Sequence, residues 1–244
     1  MLRKILFFGL MTVAGTVFGQ NRNTADKVDR PNTKKINFGV RAGFNSSMFM
    51  VSELKIKDVT IDEVQNNYKI GYFGALFMRI NMKKHFIQPE VSYNVAKCEI
   101  SFDKLGSQHP AIEPDYASVQ SVLHSIDFPI LYGYNVVKKG PYGMSIFVGP
   151  KLRYLWWKHN EITFRNFDQK GIHEELYPFN ASVVIGVGVN ISRIFFDFRY
   201  EQGVGNISKS IVYDNINSDG STGVSNITFR RRDSALSFSL GFIL

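Results

Sequence analysis

The chain has 244 residues, room for one domain or at most two. It carries 21 Phe and 11 Tyr against 2 Trp, with 20 Gly, one cysteine and a formal charge of +8. This composition favours strands and turns over helical coils. The lone Cys98 excludes an internal disulfide, and a mean hydropathy of -0.10 is too polar for a helical membrane protein.

The first segment, MLRKILFFGLMTVAGTVFGQ, has a basic start at Arg3 and Lys4, an apolar run from Ile5 to Phe18 and small residues around Gly19. That layout predicts a signal peptide over residues 1–19, whose removal lowers the charge from +8 to +6. Residues 20–35 are polar and read as an N-terminal segment ahead of the fold. After residue 20 no run reaches about 18 apolar residues, so no transmembrane helix is expected.

From Ile36 onward, alternation with a period of two recurs. In 36–45, Ile36, Phe38, Val40, Ala42 and Phe44 share a face opposite Asn37, Arg41 and Asn45. The segment 70–80 alternates weakly. In 86–95, Ile87, Val91, Tyr93 and Val95 oppose Gln88, Glu90, Ser92 and Asn94. In 126–134, Ile126, Phe128, Ile130, Tyr132 and Tyr134 oppose Asp127, Pro129, Leu131 and Gly133. Strands follow at 144–154, 179–189, 193–201 and 236–244, which makes eight. Three of them contain a proline, Pro89, Pro129 and Pro150, where a ladder N–H is needed. A ladder bond must be missing there, or a bulge present.

Connections at 81–84, 135–141 and 190–192 are short, while those near 46–68, 97–121, 156–177 and 203–234 each exceed twenty residues. Short and long alternate throughout. Outer-membrane barrels have short periplasmic turns and long external loops, and only a closed sheet pairs every backbone group in hydrocarbon. The expectation is an all-β, eight-stranded antiparallel up-and-down transmembrane β-barrel over residues 36–244, in the cell outer membrane, with both termini periplasmic and residues 20–35 a periplasmic segment.

Five segments carry a resemblance to a known family. FGVRAGFN, FIQPEVSYN, IDFPILYGY, IFVGPKLRYL and FDFRYEQGVGNI follow one another as they do in the PorT-type outer-membrane β-barrels of Bacteroidetes, and the chain resembles that family over residues 36–244. The ending, Phe242-Ile243-Leu244, departs from the aromatic last residue common there. The resemblance implies that the prolines are family features. It also implies a component of the type IX secretion system, which exports proteins bearing a conserved C-terminal domain. Other secretion subunits, outer-membrane lipid and lipopolysaccharide would then be partners. The alternative is a surface adhesin or small-ligand-binding barrel of the same wide family.

The face opposite the apolar one carries Arg41, Arg79, Glu90, Asp127, Lys151, Arg153, Asp197, Arg199 and Glu201. Eight strands leave an interior just wide enough for side chains to fill, so these groups are expected to pair with one another and leave no open channel. His124, Ser125 and Asp127 lie close together, but His124 and Ser125 alternate faces, which breaks a triad. His85, His109, His159 and His173 show no metal-ligand spacing. Residues 186–190, GVGVN, lack the third glycine and the helix of a dinucleotide site. We assign no catalytic, cofactor-binding or metal-ligating residue, no cofactor, no enzymatic activity and no nucleic-acid partner. Arg230, Arg231 and Arg232 are expected in a solvated loop, Trp156 and Trp157 in an interfacial girdle, and Cys98 as a small side chain in or near a strand.

Overall fold

The computed structural model describes residues 35–56, 59–60, 64–103, 116–156, 160–165, 170–216 and 222–244. The expected signal peptide and nearly all of the lead segment lie outside them. The described residues form twelve strands: β1 (Ile36–Ile56), β2 (Val59–Thr60), β3 (Val64–Met82), β4 (His85–Asp103), β5 (Tyr116–Lys139), β6 (Tyr142–Leu155), β7 (Glu161–Arg165), β8 (Lys170–Leu176), β9 (Phe179–Ile191), β10 (Ile194–Gly203), β11 (Ser208–Ile216) and β12 (Thr222–Ile243).

Eight of these close a ring. Each of β1, β3, β4, β5, β6, β9, β10 and β12 pairs antiparallel with the next, and β12 returns to β1 from Gly39↔Ile243 to Lys55↔Thr228. The predicted barrel is therefore the observed one. Two-residue turns join the strands at one end, at Lys83-Lys84, Gly140-Pro141 and Ser192-Arg193, and the first residue of each takes a positive φ of 56–58°.

The outer wall between the ends is apolar. Phe44, Leu76, Val148, Ile185 and Leu240 are each between 45 and 65 % exposed, as lipid-facing side chains must be. Tyr132 and Tyr142 ring this band towards the turns, and Tyr72, Tyr93 and Phe179 towards the long hairpins. The weakly patterned 70–80 segment obeys the same rule, with Tyr72 and Leu76 outward and Phe73, Ala75 and Phe77 buried in the lumen. Its signal was weak because phenylalanine occurs on both faces of the wall.

The three prolines follow one rule. Pro89 has no ladder partner on β3, where the pairs jump from Phe77↔Glu90 to Ile80↔Ile87. Pro129 has none on β4, and Pro150 none on β5. Each keeps its partner on the following strand: Pro89↔Ile130, Pro129↔Lys151 and Pro150↔Val183. The register is the same on both sides of every gap, so these are interrupted ladders and not bulges. Each proline lacks the N–H that the preceding strand would have received.

The four long connections correct the expectation. Most of their length is sheet, not loop. The β4–β5 ladder runs on to Asp103↔Tyr116, β1 pairs with β12 as far as Lys55, and β11 pairs with β12 from Ile211↔Ile227 to Ile216↔Thr222. The alternation inverts there. Beyond the tyrosine ring the lumen is apolar, filled by Ala96, Cys98, Ile100, Ala117, Val119 and Leu123, while Lys97, Glu99 and Gln120 face outward. On that outer face Glu99 pairs with Lys69 at 3.0 Å and accepts a hydrogen bond from Gln120 at 3.1 Å. Water, not lipid, surrounds this part of the wall, so the polar side turns out.

Two substitutions test this division. Val148→Arg, in the middle of the apolar band, should lower folding stability in phosphatidylcholine vesicles by roughly 2–4 kcal/mol in a denaturant titration. Gln120→Arg, outward on the hairpin extension, should leave stability unchanged. Equal effects would mean that the apolar band does not sit in hydrocarbon.

Candidate functional site: the filled lumen

The interior is built in layers, and the strand period decides what enters each. Next to the turns, Phe77, Phe86, Phe147 and Phe195 point inward. Each ring lies where a side chain on a neighbouring-strand glycine would have to be, at Gly39, Gly133, Gly186 and Gly241 respectively. Glycine is needed at these positions because the aromatic rings occupy the space of a Cβ. Leu131 and Val184 complete this layer. The guanidinium of Arg79 sits among the rings, 4.5 Å from the centre of Phe86 and within 6 Å of Phe77 and Phe195. GVGVN is thus close-packed strand, with Gly186 beneath Phe147.

Above the aromatic layer Glu90 is the hub. Its side chain is fully buried and receives Arg41 at 2.9 Å, Arg199 at 2.9 Å through both terminal nitrogens, and the amide of Gln88. Asp197 binds Arg199 at 2.7 Å and accepts the hydroxyl of Ser239 at 2.6 Å. Next along the axis, Asp127 receives Lys151 at 2.9 Å, Arg153 at 3.2 Å and the Ser125 hydroxyl at 2.8 Å. Glu201 receives Arg153 at 2.9 Å and also Lys151. Arg153 reaches Asp233 as well.

All nine charged residues expected inside are there. Asp233, in a segment expected to be loop, joins them, so that in the two ionic groups of the described residues Arg41, Arg79, Lys151, Arg153 and Arg199 stand against Glu90, Asp127, Asp197, Glu201 and Asp233. Isolated charges in such a place are prohibitive, and paired ones nearly break even. Between the two ionic groups remains a cavity of about 40 Å³, bordered by Asn45, Asp127, Lys151 and Arg199. That is room for a few waters.

Towards the hairpins, Arg231 is wholly buried, bonded to Glu174 at 2.7 Å and to Ser121 at 3.2 Å. It does not lie in a solvated loop, because period two carries β12 inward at Arg231, Asp233 and Ala235. Arg232, one residue on, is exposed. Arg231 and Glu174 lie at the level of the apolar cluster that includes Cys98, since Ser121 is the rung partner of Cys98, whose strand position is as expected.

The triad candidates are separated by the wall. Ser125 and Asp127 join inside, while His124 lies on the outer face, where its Nδ1 bonds the Tyr93 hydroxyl at 2.6 Å. His85 makes a matching 2.7 Å contact with Tyr132 near the turns. His109 and His159, and the side chain of His173, lie outside the described residues. Among the described residues no group of three His, Cys, Asp or Glu could hold a metal. Trp156 is exposed at the end of β6, close to Tyr154 and Phe179, where a girdle residue is expected; Trp157 is not among the described residues.

The chain belongs to the family described as "Outer membrane protein beta-barrel domain", which matches residues 18–209. It is an outer-membrane β-barrel. No curated protein sequence matches it. Among solved structures it is similar to the outer membrane protein OprG from Pseudomonas aeruginosa, with a TM-score of 0.55 and 10% identity over 86% of this chain and 97% of that one. Neisserial surface protein A aligns at 0.39 and 12% identity over 84% and 96% of the two chains. The attachment invasion locus protein Ail of Yersinia pestis aligns at 0.35 and 10% over 86% and 100%. At these identities the likeness is one of fold.

Glu90→Gln should be the most damaging conservative change in the lumen. It leaves Arg41 and Arg199 facing one carboxylate fewer and should cost about 3–5 kcal/mol in a urea titration in vesicles, whereas Ser92→Ala should cost under about 1 kcal/mol. In planar bilayers the unaltered protein should show no large, stable conductance steps. Such steps would contradict a filled lumen.

Proposed function

We propose that this barrel is PorT or a close relative, a non-enzymatic outer-membrane component of the type IX secretion system needed for export of proteins with the type IX C-terminal domain. The order of five strand motifs, from FGVRAGFN to FDFRYEQGVGNI, carries the reading. Membership in an outer-membrane barrel family is consistent with it. A lumen packed with paired charges supports a scaffold over a conduit, since cargo has no path through eight strands. In this reading residues 1–19 are a cleaved signal peptide, both termini are periplasmic, and the long hairpins stand outside. The hairpins and the segment 20–35 then meet other secretion subunits, and outer-membrane lipid and lipopolysaccharide surround the apolar belt.

A second reading, a surface adhesin or small-ligand barrel, is favoured by one feature: outward side chains described on the hairpin extensions, among them Lys97, Glu99, Gln120 and Arg232, are polar. A clean deletion separates the two. Under the export reading, cargo with the C-terminal domain should accumulate unprocessed in the periplasm and return to the surface on complementation. Normal export would refute it and leave the hairpins as binding elements.

A further inference from the structure

The two ends of the barrel differ in charge. At the turn end Lys35, Lys83, Lys84, Lys138, Lys139 and Arg193 are all exposed. Residues 35–40, 79–89, 133–144, 189–196 and 240–244, which make up that end, contain no Asp or Glu. The preceding segment 20–34 does not reverse the sign, since it carries four Lys or Arg against Asp26 and Asp29. At the hairpin end, by contrast, Glu99 answers Lys69 and Glu175 answers Lys209.

The cations are spread around the ring. Lys35 precedes β1, Lys83 and Lys84 join β3 to β4, Lys138 and Lys139 end β5, and Arg193 joins β9 to β10. Bonds between neighbouring connections pin their backbone. The Lys35 carbonyl accepts the Asn81 amide at 2.8 Å, that of Lys84 the Asn135 amide at 2.7 Å, and that of Arg193 the Ile243 amide at 2.8 Å. Lys83 holds a φ of 56°, a left-handed conformation that glycine or asparagine adopts at lower cost. A charge kept at such a position points to a use beyond the turn itself.

Their depth is set by the belt. Its last apolar side chains at this end, Ile36, Met82, Val136, Tyr142, Ile191 and Ile194, are 40–61 % exposed. Each cation lies within three residues of one of them along the chain, about 10 Å at the rise of a strand. That is the level of the lipid headgroups. The lumen adds to the field, because its ionic group nearest the turns sets Arg41, Arg79 and Arg199 against only Glu90 and Asp197.

We propose that the turn end is a binding rim for anionic phospholipids of the leaflet it faces, with lysine and arginine side chains holding their phosphates. The annular spread selects lipid over a folded acidic partner, since lipid meets the barrel from every side and a protein docks on one. The headgroup depth selects it for the same reason. The rim rests on the barrel alone and not on the export reading.

The test is electron paramagnetic resonance of the full-length protein in dimyristoyl-phosphatidylcholine vesicles, with trace spin-labelled phosphatidylglycerol or phosphatidylcholine. The motionally restricted fraction reports lipid held at the protein. Phosphatidylglycerol should be preferred about threefold over both leaflets, since one cation at a membrane surface is worth about fivefold on the leaflet it faces. In the unaltered protein the preference should vanish as salt rises from about 0.01 M to about 1 M and the screening length falls from about 30 Å to about 3 Å. Lys83→Asn with Lys84→Gln, Lys138→Gln and Lys139→Gln should remove most of it while the barrel keeps its heat-modifiable gel mobility. Lys97→Gln with Arg232→Gln, on the hairpin extensions, should leave it unchanged. Equal fractions for the two lipids would overturn the proposal, as would a preference indifferent to salt or one lost equally in the hairpin variant. Binding of soluble polyglutamate without any lipid preference would also overturn it and make the rim a docking surface for an acidic protein.

Discussion

In hydrocarbon a backbone amide has no partner but another backbone group, and everything in this molecule follows from meeting that demand. The demand forces the ring, the ring fixes an even alternation, and the alternation sends every second side chain into a space that lipid cannot reach. With eight strands that space is narrow, and it must be filled. The filling is charged because the inward positions are insulated from lipid and the charges answer one another around Glu90 and Asp127. The prolines show how far the rule bends. Each surrenders a donor to one neighbour only, keeps its register with both, and leaves the ring closed.

An ionic column of this kind is a poor source of stability, since desolvation takes back most of what pairing gives. Its value lies in specificity of assembly. Glu90 on β4 reaches Arg41 on β1 and Arg199 on β10, and Arg153 on β6 reaches Asp233 on β12. Those bonds span the barrel, not merely neighbouring strands. They can form only when the sheet has closed in one register, because a slip by one residue would turn every charge towards lipid.

The membrane part of the barrel was legible in the sequence because one simple contrast, apolar out and polar in, repeats along each strand. The charged interior was legible for the same reason, from Arg41 to Glu201. The strand extensions were not, because beyond the bilayer the contrast reverses. Cys98 and Ile100 turn in while Lys97 and Glu99 turn out, so a search for apolar-out strands stops at the tyrosine ring. Asp233 and Arg231 were lost to that same boundary. Period two followed backwards from Gly241 through Ser239, Ser237 and Ala235 reaches both. The Arg231–Glu174 bond was beyond any local pattern, since it joins β12 to β8 across an interrupted strand.

The layers also narrow where function can reside. Phenylalanine rings seated on glycines close the turn end, paired charges fill the middle, and an apolar cluster caps the hairpin end. The same constraint also decides where the ladders may change partners. Closure is compulsory only within hydrocarbon. Beyond the last rung between β6 and β9, at Tyr154 and Phe179, the ladders change partners, β7 pairing with β5 and β8 with β11.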